Sequence, residues 1–211
     1  MTDEILDQTS PPVATAEKEQ RRTRWLLWLQ WVTVNAVGVA LMAYGIQIGL
    51  MVEEYEEAVA VIGLGVVCTA LGQWLVLRPR LARAGWWVLV TPVGLGLGGF
   101  AAVLGIWIGS DSFGWPDVSL GLLATLLIGT PLGLLQWLVL RGQMRRALWW
   151  LPVTEVATIG IGVLFLWRCL MVFPELRAAL GGVVAGAVYG AVTGAALAVL
   201  LPHPVQARDR R

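Results

Sequence analysis

The sequence predicts an all-α membrane protein of six transmembrane helices, arranged as three tandem two-helix repeats, and three observations predict it. The first is composition: 57% of the 211 residues are hydrophobic and only 14% are charged, with a mean hydropathy of +0.72, whereas soluble chains carry about 25% charge. The second is a series of apolar stretches separated by short charged segments of alternating sign. The third is an internal repeat.

A hydrocarbon core of about 30 Å requires roughly 20 apolar helical residues. Stretches of that length run approximately over 28–51, 58–77, 86–109, 118–140, 148–172 and 178–201. Ahead of them, residues 1–24 are rich in Thr, Glu, Gln and Pro and read as a disordered cytoplasmic tail. Residues 203–211 form a second tail, which leaves 25–202 as the membrane domain. Arg21-Arg22 ahead of Trp25-Leu26-Leu27 loosely matches a twin-arginine export signal. The apolar run that follows is too long for a signal core and lacks a small-residue cleavage site.

Cytoplasmic connectors retain Lys and Arg, so the order of charges sets direction. Lys18, Arg21, Arg22 and Arg24 precede the first span, and Glu53, Glu54, Glu56 and Glu57 follow it. Next come Arg78, Arg80 and Arg83, then Asp111 and Asp117, then Arg141, Arg145 and Arg146, then Glu175 with Arg177, and last Arg208, Arg210 and Arg211. Thirteen of the fifteen basic residues fall on one side. This predicts an inner (plasma) membrane protein with both termini cytoplasmic. Trp25, Trp28, Trp31, Trp86, Trp87, Trp149 and Trp150 sit where odd-numbered spans leave that surface, the headgroup level that an amphipathic ring prefers.

Residues 73–78 read QWLVLR, and residues 136–141 read QWLVLR again. The match continues through basic connectors into Trp86-Trp87 and Trp149-Trp150, then into VLVT ending at Thr91 and LPVT ending at Thr154, all under one 63-residue shift. A weaker copy appears at the chain ends. Trp31 to Asn35 align with Trp87 to Thr91, while Gly186, Gly190 and Thr193 align with Gly129, Gly133 and Gln136. The unit is a pair of spans, over about 28–78, 84–141 and 147–201. With an even number of spans per unit, every copy has the same orientation and the pseudo-symmetry axis follows the membrane normal.

On these residues the chain resembles a group of uncharacterised multi-pass bacterial membrane proteins marked by tandem QWLVLR, basic-loop, WW repeats. The resemblance covers nearly the whole chain outside the tails and is sharpest over 73–91 and 136–154. It implies a multi-pass fold and no particular activity. The third copy departs from the signature, because Gly194 to Ala198 follow Thr193 where the others have Trp-Leu-Val-Leu-Arg. Mitochondrial carriers also use three pairs of spans, but their signature of proline, acid and base is missing, and no function is carried over from them.

Asn35, Thr91 and Thr154 each lie four residues past a tryptophan, about 6 Å deeper at the helical rise. Gln73 and Gln136 lie five residues before an arginine, about 7.5 Å deep on the same basis, and Thr193 aligns with them. The six are expected in one layer, either hydrogen-bonded between helices or lining a polar vestibule open to the cytoplasm. Glu155, the one acid within a span, adjoins Thr154. Its readings are a buried carboxyl partnered by Gln136, Gln73 or a cytoplasmic-end arginine, and a proton-coupling group. Arg168 is read as snorkelling to the outer headgroups or pairing with the Glu53 to Glu57 cluster. Gly182, Gly186, Gly190 and Gly194 recur at four-residue spacing and predict a packing stripe against a helix of the same chain or of a second subunit. Pro92 and Pro131 are expected to kink their spans.

Several classes are disfavoured. A formal net charge of +1 argues against a nucleic-acid partner. Cys68 and Cys169 lie in apolar stretches and predict no disulfide framework. The single histidine, His203, falls in a tail, and neither metal-ligand spacing nor a P-loop, dinucleotide fingerprint or catalytic triad is present. No catalytic residue, cofactor or metal is therefore predicted. The expected role is a structural or accessory membrane subunit whose partners are the lipid bilayer and a second membrane protein or second copy. The alternatives are a small transporter or channel using the polar layer with Glu155, and a membrane sensor signalling through its N-terminal tail.

Overall fold

The computed structural model describes residues 13–51, 55–113, 117–144, 146–168 and 174–201. Among them every regular element is helical: α1 (Val13–Met51), α2 (Tyr55–Leu77), α3 (Trp87–Phe113), α4 (Asp117–Leu140), α5 (Trp150–Arg168) and α6 (Pro174–Leu200), with 3-10 turns at Ala84–Trp86 and Ala147–Trp149. The helices are apolar on all faces. Leu97, Phe100, Val103 and Trp107 of α3 are all exposed, an arrangement suited to lipid and costly in water. Among the described residues five stretches are long and apolar enough to cross a membrane: Glu17–Gly49, Glu56–Leu77, Ala84–Asp111, Ser119–Leu140 and Ala179–Leu200. A sixth apolar stretch, Ala147–Gly162, is shorter.

Helix limits follow the expected spans to within four residues, with one larger difference. α1 begins at Val13, so residues 13–24 are helical where the sequence predicts a disordered tail. Ala, Glu, Lys, Gln and Arg, which dominate this segment, are strong helix formers. Adding turns to a helix that is already nucleated also avoids the cost of starting one. The Thr23 hydroxyl donates back to the Glu19 carbonyl at 2.9 Å, and residues 19–26 are exposed. The expected end of the fifth span, at 172, lies outside the described residues, of which α5 takes in Trp150–Arg168. Residues 1–12 and 203–211 with His203, Glu53, Glu54, Arg145 and Cys169, and the side chains of Asp117, Arg168, Glu175 and Arg177, lie outside the described residues.

Helices adjacent in the chain pack against each other, and α6 closes on α1, so the six form a ring. Glycine decides how closely that ring closes. A Cβ at Gly182 would stand 2.7 Å from Ala40 Cα, one at Gly186 would collide with the Asn35 carbonyl oxygen, and one at Gly190 would stand 2.8 Å from Val32 Cα. At Gly194 it would meet Trp31 Cδ1 at 3.0 Å. The stripe thus faces α1 of the same chain. α2 and α3 use the same device where Gly65 meets the Gly38 carbonyl and Gly98 meets the backbone of Ile128. Pro92 and Pro131 lie inside α3 and α4.

The core changes character along the bundle. At the arginine-bearing end the twelve largest fully buried side chains are Trp31, Trp87, Trp150, Leu77, Leu140, Leu197, Gln73, Gln136, Asn35, Thr91, Thr154 and Thr193. Toward the opposite end the buried residues are mostly small, among them Ala43, Ala58, Ala102 and Ala185.

Candidate functional site: a buried ring of tryptophan, amide and hydroxyl groups

Two connectors position the site, and they are built alike. After Leu77 the chain turns through hydrogen bonds from Arg80 N and Leu81 N to Leu77 O (2.8 and 2.9 Å), and after Leu140 through Gln143 N and Met144 N to Leu140 O (both 2.9 Å). Arg83 and Arg146 precede the 3-10 turns with φ of −109° and −114°. Leu81 and Met144 point inward and are buried. Arg78 stands over the Trp74 ring at 5.8 Å, and Arg141 over Trp137 at 5.5 Å. These cation–π contacts hold each arginine at the mouth of its turn. The Arg80 guanidinium donates to the Val76 carbonyl at 2.8 Å, and burial lowers its pKa below the usual arginine value.

Each turn ends in a tryptophan pair whose two members separate. Trp86 and Trp149 are exposed at 59% and 64%, whereas Trp87 and Trp150 are completely buried, as is Trp31. The expectation that all of these rings belong to an interfacial belt is corrected for Trp31, Trp87 and Trp150. A helix turns by about 100° per residue, so two adjacent rings cannot share one environment. The three buried rings meet edge to face, with centroid separations of 6.1 Å for Trp31–Trp87 and 6.1 Å for Trp87–Trp150. Such pairs add about 0.5–1.5 kcal/mol beyond area burial.

Each indole N–H then finds an acceptor on the helix before it in the ring. Trp87 Nε1 donates to Gln73 Oε1 (2.8 Å), Trp150 Nε1 to Gln136 Oε1 (3.0 Å) and Trp31 Nε1 to Thr193 Oγ1 (2.8 Å). The amides carry the chain of bonds onward. Gln73 Nε2 donates to Asn35 Oδ1 (2.9 Å), Asn35 Nδ2 to the Trp31 carbonyl (2.8 Å), Thr91 Oγ1 to Gln73 Oε1 (3.1 Å) and Gln136 Nε2 to Thr91 Oγ1 (3.4 Å). One connected path thus runs from α6 through α1, α2, α3 and α4 to α5. It stops between α5 and α6. A hydroxyl has one proton; Thr193 gives its own to the Tyr189 carbonyl (2.7 Å) and Thr154 gives its own to the Trp150 carbonyl (2.9 Å).

The six layer residues expected from sequence, Asn35, Gln73, Thr91, Gln136, Thr154 and Thr193, are all fully buried, which disagrees with a vestibule open to the cytoplasm. Glu155 is not brought into their network. It is half-buried at the α4–α5 contact, where the Thr130 hydroxyl lies 2.7 Å from its Oε1. The expected partners Gln136, Gln73 or an arginine are replaced by Thr130, because Glu155 projects one residue around the helix from inward-facing Thr154. Its Oε2 is buried without a hydrogen-bond partner, as is the Tyr189 hydroxyl on α6. Thr130, Thr158 and Tyr189 are the residues that sequence reading misses. Tyr189 was legible as the one ionisable residue facing the core of its span, one turn before Thr193.

Among the described residues no group of three or more His, Cys, Asp or Glu side chains could hold a metal ion. Set beside protein-family models, curated proteins and solved structures, the chain matches none.

Proposed function

We propose that the chain is an integral membrane protein crossing the bilayer six times as three two-helix repeats, with both termini cytoplasmic, and that it acts as a structural or accessory subunit of a membrane assembly. The observation carrying this reading is the identity of the twelve largest fully buried side chains among the described residues. They fall into four sets of three at corresponding positions of the proposed repeats: Trp31, Trp87, Trp150; Asn35, Thr91, Thr154; Gln73, Gln136, Thr193; and Leu77, Leu140, Leu197. The polar members bond to neighbouring helices or to their own helix backbone, the usual use of buried polar groups in a membrane. α5, with 19 residues, extends about 28 Å at the helical rise, which supports a sixth crossing. Arg78, Arg80, Arg83, Arg141 and Arg146 lie at one end of the helices and Glu56, Glu57 and Asp111 at the other, in keeping with cytoplasmic termini.

The competing reading, a small transporter or channel, would draw on the same polar layer together with Glu155. Full burial of that layer favours packing over conduction, and Glu155 is the feature that transport would use. Purification of the tagged chain from its own membrane in mild detergent separates the two. The accessory reading expects a membrane protein in fixed stoichiometry; recovery of the chain alone, with measurable solute flux in proteoliposomes, would overturn it. Terminal tags protected from external protease in intact cells are the expected topology result.

A further inference from the structure

Thr130 has one hydroxyl proton and two acceptors in reach: the Leu126 carbonyl at 2.9 Å and Glu155 Oε1 at 2.7 Å. Thr91 gives that proton to a side chain, Gln73 Oε1, whereas Thr33, Thr69, Thr154 and Thr193 spend it on the carbonyl four residues earlier. If Thr130 does the same, the 2.7 Å contact between two oxygens requires a proton from the carboxyl. Glu155 Oε2 and the Tyr189 hydroxyl, both buried and both without a partner, lie within electrostatic reach of each other. Tyr189 is only 4% exposed. A carboxylate in hydrocarbon is costly without a countercharge, and the described groups facing this one are Thr130 from α4, Thr158 from α5 and Tyr189 from α6. None is basic.

The site is also shaped for the carboxyl. A Cβ on Gly129 would stand 2.7 Å from Glu155 Oε2 and would collide with Thr158 Oγ1, so a glycine there leaves the room that the side chain occupies. Packing does not call for an acid at this position, since the aligned residues are Ala36 and Pro92.

We propose that Glu155, beside Thr130 and over Gly129, is a proton-binding site within the membrane, reachable from the lipid face of the α4–α5 contact. Binding forms one O–H bond between a solvent-derived proton and the carboxylate, and release returns that proton to water. The inference rests on the membrane placement proposed above and is independent of the accessory role.

The test is reaction of the full-length protein in lipid vesicles with a hydrophobic carbodiimide. The protonated carboxyl adds across one N=C bond, its proton going to nitrogen, and acyl migration gives a stable N-acylurea with no atom lost. Peptide mass spectrometry should locate one adduct at Glu155. Its rate should fall as pH rises, because the reagent consumes only the protonated carboxyl. Glu155→Gln, which keeps the side-chain shape, should lose the adduct; Gly129→Ala should diminish it. An adduct absent at every pH, or formed at a pH-independent rate, would overturn the proposal in protein that stays monodisperse. So would protection by sodium at constant pH, which would assign the site to a metal cation. Tag protection measured on the same vesicles distinguishes these failures from a failure of the topology.

Discussion

The α2–α3 and α4–α5 junctions are joined by a structured turn and bridged by a glutamine, whereas the α6–α1 junction has no connecting peptide and is bridged by a threonine. At the first two, Gln73 and Gln136 receive an indole N–H on one side and donate an amide N–H on the other. At the third, Thr193 receives the Trp31 N–H and returns its own proton to its helix. Glycine replaces reach there, since Gly182, Gly186, Gly190 and Gly194 let α6 lie against the backbone of α1. A long polar side chain and a close backbone approach are therefore two solutions to one problem, satisfying an indole N–H away from water.

The comparison breaks most severely at Gly186. Gly186→Leu should cost about 3 kcal/mol or more by forcing α6 off α1, seen as loss of the monodisperse peak in detergent and early thermal unfolding. Next is Gln73→Leu, which strands the Trp87 N–H and removes the donor to Asn35 and the acceptor of Thr91. Its expected cost is about 2–3 kcal/mol. Gln136→Leu, with fewer bonds to lose, should cost about 1–2 kcal/mol, and the difference between the two glutamines in thermal-shift measurements checks the path of the network. Thr193→Val should cost about 1 kcal/mol, because one indole N–H is orphaned. The smallest effect sharpens the contrast within each tryptophan pair. Trp87→Phe should lower stability by about 1–2 kcal/mol, whereas Trp86→Phe, at an exposed ring, should change unfolding temperature little.

A second contrast runs along the bundle. The arginine-bearing half is filled by indoles, leucines and amides, and the opposite half by alanines and glycines. Glu155 and Tyr189 belong near that boundary, one turn or less beyond the sealed layer. Glu155 Oε2 has no hydrogen-bond partner, whereas each of the six layer residues has one, and this is the physical content of assigning the proton to Glu155 rather than to the six-residue layer.

Span positions, the polar layer and the glycine stripe were legible because each depends on residue type and helical spacing alone. Depth of the layer follows from rise per residue, and the stripe from four-residue periodicity. Reading Trp31, Trp87 and Trp150 as interfacial failed, because composition reports that a ring is amphipathic but not which side of the helix it occupies in the ring. Glu155 was visible as an anomaly while its hydrogen-bond partner was not, since Thr130 lies 25 residues earlier on another helix.

By itself the sequence determined that this chain is helical, apolar on every face and repetitive, since hydropathy and repeat identity are properties of the covalent order. Only the tertiary structure decided that α6 closes on α1, that one tryptophan of each pair turns inward, and which carbonyl or amide each buried group meets. Those outcomes depend on contacts between residues as far apart as Trp31 and Thr193, and a contact at that separation exists only once all six helices have packed.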